Sequence, residues 1–590
     1  MNFTKHEFTK LVADIGDRSS AIKYDFEIAE DFSKLLEENK DRLTSKQEQQ
    51  LKWEFLLFRL TTKNSFASDG FHTERFVPMA TFADGSIFPD PNSLPNTALR
   101  YFELRAKTVV NSILKARYLD ILWEKSKSRK KYLFAIDAVE QYILNVDAYE
   151  NEDAIMEKLD GLQRATELVL ILESNLSKKP LTDKVIQTLN NQIDKTVKDN
   201  NHRWLIEMFE LVLALSDSYS NDQIKDFVNL CDKAAAHYHS DQNFHLQRSF
   251  LQLRKNLVKL LDYTPDTKKI LDDDIGQSYI DEAEAKSGSG LVKVHFLQEA
   301  VNYYSKLGNK KKVEELIGKI KTATAQAIEN KEFKEFSSTI ELKKEDIEKM
   351  KASLGTGEEV PEKVGTLPTF FPNWDHAVKM TEEQSKKFVF MHLAKKVTYG
   401  SKYPIDSPQT PEQLNEDNIM QNFKIEVELA LHWLTRFLTD LIKEKKVNAH
   451  DFHKFFSKLS VLDNDTYETI TEGVESYFKG DYFHSAYVLT LQLEDFLRQL
   501  LEVFGGQTTK VEAGSFSEKT LRPILRELRP TISDFMYHYV SWVMEDYRGF
   551  NLRNNIAHGF FKKRQANPIY PTAILHIFCL LIANTKLSVK

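Results

Sequence analysis

The stretch SGSGLVKVHFLQEAVNYYSKLGNKKKVEELIGKIKTAT, Ser287–Thr324, decides the class of fold. Its apolar residues recur three and four positions apart, on one face before the turn Leu307-Gly308-Asn309 and on a second face after it. Such spacing is typical of amphipathic helices, because an α-helix has 3.6 residues per turn. The stretch therefore predicts two helices joined by a tight turn, and the same spacing recurs along most of the chain.

This helical hairpin resembles a tetratricopeptide-type repeat. Earlier helix pairs, such as Ala116–Lys125 with Lys130–Leu144, suit the same stacked arrangement. We therefore predict an irregular helical-repeat (TPR-like) solenoid over residues 1–352, with a long ordered loop at residues 65–96, where four Pro and two Gly cluster. Stacked helices offer a long concave surface, so we expect a protein or ligand trigger to bind there.

Gly, Pro and charged residues interrupt the helical spacing at residues 353–422, which we interpret as a linker and an irregular segment. Long helices resume at Phe423 and predict a compact helical bundle over residues 423–590. Ser517 is expected to cap one of these helices. The apolar run AILHIFCLLIAN is expected to be a buried core helix. No stretch alternates long enough to indicate a sheet, so the predicted fold class is all-α.

The composition excludes several classes of function. The 590 residues include 80 basic and 87 acidic side chains, for a net charge of −7, which argues against sequence-independent binding of nucleic acid through phosphates. Any contact with nucleic acid is therefore a local patch. The two cysteines lie far apart, and no apolar run has the length of a signal peptide or a transmembrane helix. We expect a cytoplasmic protein that does not contact a membrane.

No metal site and no cofactor are predicted. Cys231 and the histidines that follow it fit no zinc-finger spacing. The acidic run Leu271–Asp274 lacks the Gly and the Glu of a calcium loop. The glycine-rich turns lack the Lys-Ser/Thr of a phosphate loop.

The candidate chemistry is grouped in DYRGFNLRNNIAHGFFKKR, Asp546–Arg564. Asn551 can cap a short helix, and Gly559 can end that helix in a left-handed turn. Asn554 and His558 are four residues apart and share a face of the helix. Asn555 lies between them.

Arg553 lies at the N-terminus of this predicted helix, where free backbone N–H groups favour an anion. Four cations and no acid occur between Arg553 and Arg564, namely Arg553, Lys562, Lys563 and Arg564. A fixed guanidinium, an amide and an imidazole that titrates near neutral pH suit the binding of a phosphodiester and the movement of protons around it. The alternative is structural, with a buried Arg and Asn that tie a helix end to neighbouring loops.

The segment RGFNLRNNIAHG resembles the R-N-x-x-A-H-G signature of an all-helical domain in the HEPN superfamily (higher eukaryotes and prokaryotes nucleotide-binding). Upstream, YFKGDYFHSAYVLTLQLEDFLRQLLEVFG, Tyr477–Gly505, resembles the helix that precedes this signature, which has a Glu and an Arg four residues apart. Here these residues are Glu494 and Arg498. The resemblance covers about residues 469–587, and LKARYLDILWEKS, Leu114–Ser126, resembles a helical region often fused to this domain.

The resemblance implies a HEPN-like bundle with metal-independent endoribonuclease activity on single-stranded RNA. His558 would act as general base or acid at the 2′-hydroxyl or at the leaving 5′-oxygen. Arg553 would stabilise charge on the pentacoordinate phosphorus, and Asn554 would orient the phosphate or the imidazole. The product would end in a 2′,3′-cyclic phosphate, which DNA cannot form. The residues expected to bind substrate are Glu494, Arg498, Asn555, Lys562, Lys563 and Arg564.

The resemblance also implies a homodimer through the C-terminal domain, with two motifs across a shared cleft. The expected role is prokaryotic antiviral (phage) defence or toxin-type growth arrest. Two alternatives remain open. In one, the domain binds RNA or nucleotide and dimerises without cleavage, beside a helical partner-binding array. In the other, the chain is a helical scaffold, and Glu494 and Arg498 form an ordinary ion pair on a helix surface.

Overall fold

The computed structural model describes residues 2–17, 24–63, 75–82, 84–148, 155–173, 179–261, 263–286, 288–334, 343–389, 392, 397–399, 404–406, 408, 410–458, 463–512 and 515–584. The chain divides into two compact units, Met1–Ala323 and Thr324–Lys590. The described residues form 25 α-helices and four two-stranded antiparallel hairpins. The predicted all-α fold class is therefore confirmed.

The first unit is a succession of amphipathic helices with short connections. Its helices are α1 (Lys5–Asp17), α2 (Asp25–Glu38), α3 (Ser45–Arg59), α4 (Asn96–Thr108), α5 (Ser112–Lys125), α6 (Tyr132–Ala148), α7 (Ile155–Glu173), α8 (Lys179–Lys198), α9 (Leu205–Ala214), α10 (Asn221–Ser240), α11 (Phe244–Val258), α12 (Pro265–Ala285), α13 (Gly290–Lys306) and α14 (Lys310–Glu329), the last of which ends in the second unit. Its strands are β1 (Thr61–Thr62), β2 (Phe76–Val77), β3 (Ala80–Thr81) and β4 (Ile87–Phe88).

Consecutive helices of the first unit pack on one another, including α5 on α6, α6 on α7, α10 on α11 and α12 on α13. The predicted turn lies between α13 and α14, and Gly308 has the left-handed φ of +71° that such a turn requires. Tyr304 of α13 packs against Gly276 of α12, where a Cβ would lie 2.4 Å from the tyrosine ring. The tetratricopeptide resemblance itself stays a prediction.

Two buried carboxylates connect the helices of the first unit. Glu54 accepts hydrogen bonds from the Tyr101 hydroxyl and from Arg105 Nε, each at 2.9 Å. Asp120 accepts hydrogen bonds from Tyr142 at 2.8 Å and from Arg164 Nη2 at 2.7 Å. Both carboxylates are fully buried, so their partners are needed to offset the cost of removing the charges from water.

Short strands occur in the predicted long loop at residues 65–96. Strand β2 pairs with β1, which places Thr61 opposite Val77, and β3 pairs with β4, which places Ala80 opposite Phe88. Residues 65–74 and 83 lie outside the described part of the chain. Strands of two residues are too short to show an alternating pattern, so the sequence does not predict them.

The second unit is also helical. Its helices are α15 (Lys344–Ser353), α16 (Glu359–Thr366), α17 (Trp374–Lys387), α18 (Pro411–Lys443), α19 (Ala449–Phe456), α20 (Asn464–Phe478), α21 (Tyr482–Val503), α22 (Leu521–Leu528), α23 (Asp534–Met544), α24 (Leu552–Ala557) and α25 (Ile569–Asn584). Its strands are β5 (Thr398–Tyr399) with β6 (Pro404–Asp406), and β7 (Thr509–Glu512) with β8 (Ser515–Glu518).

Helix α25 contains the apolar run that was expected to be a buried helix. Its residues from Pro571 to Leu581 are all buried, which agrees with that prediction. Helices α16, α18 and α21 pack against it. Among the described helices of the whole chain, none combines the length and the apolar composition needed to cross a membrane.

The structure differs from the expected linker at residues 353–422. Val360, Val364 and Phe370 of this segment are fully buried in the core of the second unit. Gly365 lies so close to α25 that a Cβ would be 2.2 Å from the Cys579 carbonyl oxygen. Gly365 therefore allows α16 and α25 to pack closely and does not form a turn. Because a glycine of either kind has the same effect on composition, the segment resembled a linker in the sequence.

Two helix starts in the second unit also differ from expectation. Ser517 does not cap a helix, because it lies in β8 opposite Lys510, and α22 begins only after Thr520. Helix α18 begins at Pro411, before the expected Phe423, with Thr410 as its N-cap.

We expect Gly365→Ala to lower the free energy of unfolding by about 1–3 kcal/mol, because the added methyl group would force α16 away from α25. Urea denaturation of the full chain measures this change. Gly318→Ala in α14 is the control, since a Cβ there meets no atom within 4 Å. That control should be neutral or stabilising by up to about 1 kcal/mol. Equal stability of Gly365→Ala and wild type would contradict the assignment of α16 to the core.

Candidate functional site

The chain before α24 folds back tightly on α23. A Cβ at Gly549 would lie 2.0 Å from the Trp542 carbonyl oxygen, so only glycine fits at this position. The backbone N–H of Phe550 donates to the same carbonyl at 3.1 Å, and the two aromatic rings lie 4.5 Å apart. This contact fixes the direction in which α24 leaves the core.

The ends of α24 lie where the sequence predicts them, with one difference. Asn551 precedes the helix in a left-handed conformation with φ of +48°, which asparagine tolerates better than most residues. Its side chain caps no backbone N–H and instead accepts a hydrogen bond from Asn554 Nδ2 at 2.7 Å. Gly559, with φ of +65°, ends the helix in the expected left-handed turn.

Arg553, Glu494 and Arg498 form one ion-paired cluster. Glu494 Oε2 accepts from Arg553 Nε at 2.8 Å, and Glu494 Oε1 accepts from Arg498 Nη2 at 3.0 Å. Glu494 is only 9% exposed, so these bonds are weakly screened by solvent. Arg498 also donates to the Lys519 carbonyl at 2.5 Å and to Glu518 at 3.3 Å. The carboxylate therefore joins α21 to α24 and orients both guanidinium groups.

Arg553 keeps part of its donor capacity. Its Nη1 donates to Asn554 Oδ1 at 3.3 Å, and its side chain is 27% exposed. No acceptor on a described residue bonds its Nη2. A guanidinium held at Nε by a carboxylate presents its remaining N–H groups in a fixed direction, which suits a phosphate oxygen.

The two neighbouring asparagines have different roles. Asn554 accepts from Arg553 and donates to Asn551, so it orients the guanidinium rather than the imidazole. Asn555 donates its Nδ2 to the Phe550 carbonyl at 3.0 Å, and its own carbonyl accepts from the Phe560 N–H at 2.7 Å. Asn555 was expected to bind substrate. In the structure, its hydrogen bonds instead connect it to the loops before and after α24.

His558 lies at the C-cap of α24 and is exposed. Its ring lies 5.8 Å from that of Phe560, and no described residue forms a hydrogen bond with its imidazole. His576 in α25 shows the contrast, because it is 0% exposed and its Nδ1 lies 3.0 Å from the Tyr539 hydroxyl. Burial lowers the pKa of His576 to about 3. His576 therefore has the environment of a structural histidine, and His558 does not.

The three cations after the motif are solvent-exposed. Lys563 begins a short 3₁₀ turn, Lys563–Gln565, and Lys562 precedes it. Within the described part of the chain, none of Lys562, Lys563 and Arg564 forms an ion pair. An exposed group of unpaired cations beside Arg553 in the sequence is suited to an anionic polymer.

The sequence reasoning missed the role of Arg548. Its guanidinium bonds Asp546 at 2.8 Å and 3.0 Å, and it bonds Glu416 of α18 at 3.3 Å. These bonds attach the loop before α24 to α18. The pair with Asp546 is local enough to be suspected from the sequence, but Glu416 lies 132 residues away.

The described residues contain no group of three or more His, Cys, Asp or Glu side chains placed to hold a metal ion. His237 of α10 and Asp241, the C-cap of that helix, lie 3.4 Å apart as an i,i+4 pair. Cys231 is buried in the core of the first unit, where burial raises the pKa of its thiol.

Residues 26–179 match the model of a family described as a domain of unknown function (DUF7380). This match lies wholly within the first unit, so it does not include Glu494, Arg553 or His558. No curated protein matches the chain. No solved structure matches it either.

We expect Glu494→Gln to lower the free energy of unfolding by about 1–3 kcal/mol, because two partly buried guanidinium groups lose their shared counter-charge. Chemical denaturation measures the change. Glu518→Gln is the matched control, since Glu518 is an exposed carboxylate on the same Arg498, and it should change stability by less than about 0.5 kcal/mol. Equal effects of the two substitutions would show that Glu494 is an ordinary surface partner.

The stability of the second unit should fall as the pH is lowered through 6.5. The folded pKa of His576 is about 3 against an ordinary value of 6.5, so below pH 6.5 the unfolded chain binds a proton that the folded chain does not. The neutral, buried His576 makes its full contribution to the free energy of unfolding above pH 6.5. Below pH 6.5 this contribution falls by up to about 1.4 kcal/mol per pH unit. His576→Leu should flatten the dependence of denaturation midpoint on pH. An unchanged slope would contradict the neutral, buried state of His576.

Proposed function

We propose that the second unit is a metal-independent endoribonuclease of the HEPN type that cleaves single-stranded RNA. The main support is the cluster of Arg553, Glu494 and Arg498. The sequence resemblance singles out these residues in two separate segments, and Glu494 and Arg553 are 59 residues apart in the chain but 2.8 Å apart in space. A purely structural arginine would use its donors on the protein, whereas Arg553 retains Nη2.

In this proposal each side chain has one task. Arg553, oriented by Glu494 and Asn554, stabilises the negative charge that develops on the phosphorus. His558 transfers the proton of the 2′-hydroxyl or protonates the leaving 5′-oxygen. Lys562, Lys563 and Arg564 bind phosphates of the neighbouring nucleotides. The chain cuts RNA and not DNA, because the 2′-hydroxyl is the nucleophile.

A homodimer through the second unit is part of the proposal. Arg553 and His558 are five residues apart, so they project from the axis of α24 about 140° apart, as 3.6 residues per turn requires. Within one copy, the two side chains therefore point in different directions. A two-fold axis can bring the Arg of one copy towards the His of the other. The exposed Phe560, 61% accessible beside the motif, supplies an apolar surface that a second copy would cover.

The remaining expectations belong to the same proposal. The packing of consecutive helices in the first unit supports an irregular TPR-like solenoid that binds a protein or ligand trigger. The two cysteines are free and buried, which supports a cytoplasmic location. A role in antiviral defence or toxin-type growth arrest rests on the sequence resemblance alone.

A second candidate function is RNA or nucleotide binding without cleavage. One observation favours it, which is that no described residue orients the imidazole of His558. General bases are usually held by a third group, as in catalytic triads. Under this alternative, Arg553 and the three cations bind a phosphate backbone, and no bond is broken.

The test is incubation of the purified full chain with a labelled single-stranded RNA in EDTA. We expect cleavage that leaves 2′,3′-cyclic phosphate ends, no cleavage of DNA of the same sequence, and a loss of rate of at least about 100-fold in His558→Ala. Arg553→Lys keeps the charge but loses the planar group of donors, and it should also be slower by about 100-fold or more.

His450→Ala is the matched control, because His450 is another exposed histidine of the second unit. Its cleavage rate should equal that of wild type. Binding of RNA by wild type and by His558→Ala without cleavage by either would favour the non-catalytic alternative. Cleavage that is equal in wild type and His558→Ala would reject the proposed site. The fragment from residue 324 onward, the boundary of the second unit, tests whether the first unit suppresses the activity.

A further inference from the structure

The first unit contains a cavity of about 290 Å³ lined by residues of α2, α5, α6 and α7. This volume is large compared with the roughly 30 Å³ that a water molecule occupies in the liquid. The charged and amide side chains that line it are Asp25, Arg75, Arg117, Asn145, Glu157 and Asp160. Arg75 and Arg117 are themselves almost fully buried, so the cavity has a fixed, charged wall.

Each of the two guanidinium groups is already paired within the cavity. Arg75 Nη2 binds both oxygens of Asp160, at 3.0 Å and 3.1 Å, and its Nη1 donates to the Lys63 carbonyl at 2.7 Å. Arg117 Nη1 lies 3.1 Å from Asp25, and its Nη2 donates to the Leu60 carbonyl at 2.5 Å. These pairs balance two of the three carboxylates that line the cavity.

Glu157 is the third carboxylate, and no described residue acts as its counter-ion. It forms no ion pair with a described residue, and its Oε2 is buried without a hydrogen-bond partner. Burial raises the pKa of Glu157 and the charges of Asp160 and Asp25 raise it further, although its own backbone N–H opposes the shift. Among the described residues that line the cavity, the carboxylates therefore outnumber the guanidinium groups by one.

A second, independent observation is the side chain of Asn145. This residue lines the cavity, is only 6% exposed, and its Oδ1 has no donor among the described residues. A buried acceptor that lacks a donor destabilises the folded state by the cost of removing it from water. Asn145 Oδ1 on α6 and Glu157 Oε2 on α7 are thus two acceptors, one neutral and one charged, to which no described residue donates a hydrogen bond.

We propose that this cavity binds a small organic cation, a primary amine or a guanidine, whose N–H groups donate to Asn145 and Glu157. Tyr24 and Tyr142 also line the cavity, and phenol rings attract such cations through their faces. The Nε atoms of Arg75 and Arg117 are likewise without acceptors, so a ligand with an acceptor beside its cationic group would satisfy them as well.

The site is independent of the proposed ribonuclease. The residues named above, apart from Tyr24 and Asp25, lie within residues 26–179, which match the domain of unknown function. Since the cavity residues come from several elements, a bound ligand would stabilise the first unit by mass action. The ligand expected for the N-terminal helices would then be an organic amine or guanidine.

The test uses the full chain with putrescine and agmatine as cationic probes, n-butanol as a neutral probe, inorganic phosphate as an anion, and Mg²⁺. We expect the two cationic probes to raise Tm and to titrate in calorimetry, and the others to do neither. Glu157→Gln should weaken the binding of agmatine about tenfold or more, because a charge-assisted hydrogen bond is lost. Asp137→Asn, an exposed carboxylate of α6 outside the cavity, should leave the affinity unchanged.

The variant Asn145→Leu tests whether Asn145 binds a ligand or only stabilises the fold. It removes a buried acceptor that has no partner, so the Tm without probe should stay equal or rise, while the response to agmatine is lost. A lower Tm without probe would show that Asn145 is satisfied by the protein and would overturn the proposal. Three other results would also overturn the proposal. The first is that phosphate or Mg²⁺ binds and the amines do not, and the second is that Glu157→Gln and wild type bind agmatine with equal affinity. The third is that neither cationic probe changes Tm or titrates in calorimetry.

Discussion

Helix α25 is buried on every side, and the second unit is organised by that constraint. A helix that is apolar all round cannot lie on a surface, so other helices must cover each of its faces. Of its two buried polar side chains, Thr572 bonds the Tyr477 hydroxyl at 2.8 Å, and His576 Nδ1 lies 3.0 Å from the Tyr539 hydroxyl, while no described residue bonds His576 Nε2. The close approach of α16 at Gly365 follows from the same requirement. Residues 558–568 connect α24, which contains the motif, to this buried helix.

Electrostatics, rather than packing, determines the geometry of the candidate site. Glu494 is almost buried, so removing its charge from water is costly without partners, and Arg553 and Arg498 supply them. This arrangement joins two distant segments and also limits the freedom of Arg553. No described residue orients the imidazole of His558 by a hydrogen bond. The guanidinium of Arg553 is therefore oriented by residues of one copy, whereas the exposed imidazole of His558 is not.

The first unit has a different electrostatic character. The buried carboxylates Glu54 and Asp120 have a full set of hydrogen-bond partners. The cavity adjoins the Asp120 network through Tyr142, and Glu157 Oε2 and Asn145 Oδ1, on residues that line it, have no hydrogen-bond partner among the described residues. Buried polar groups are normally satisfied, so adjacent exceptions around an open space suggest a missing ligand rather than a defect of packing. The two units thus each have a candidate site, one for a phosphate and one for an organic cation.

The sequence by itself determined the all-α class, the helical hairpin at α13 and α14, the buried helix α25 and the short helix that ends at Gly559, because each depends on local spacing or on a turn residue. It also pointed to Glu494, Arg553 and His558 through their resemblance to a known motif. Only the tertiary structure decided that α16 belongs to a core, since a glycine for close helix contact looks the same in sequence as a glycine for a turn. The same holds for the link between Glu494 and Arg553 and for the cavity at Asn145, because pairing across long stretches of chain depends on how the helices pack and not on local pattern.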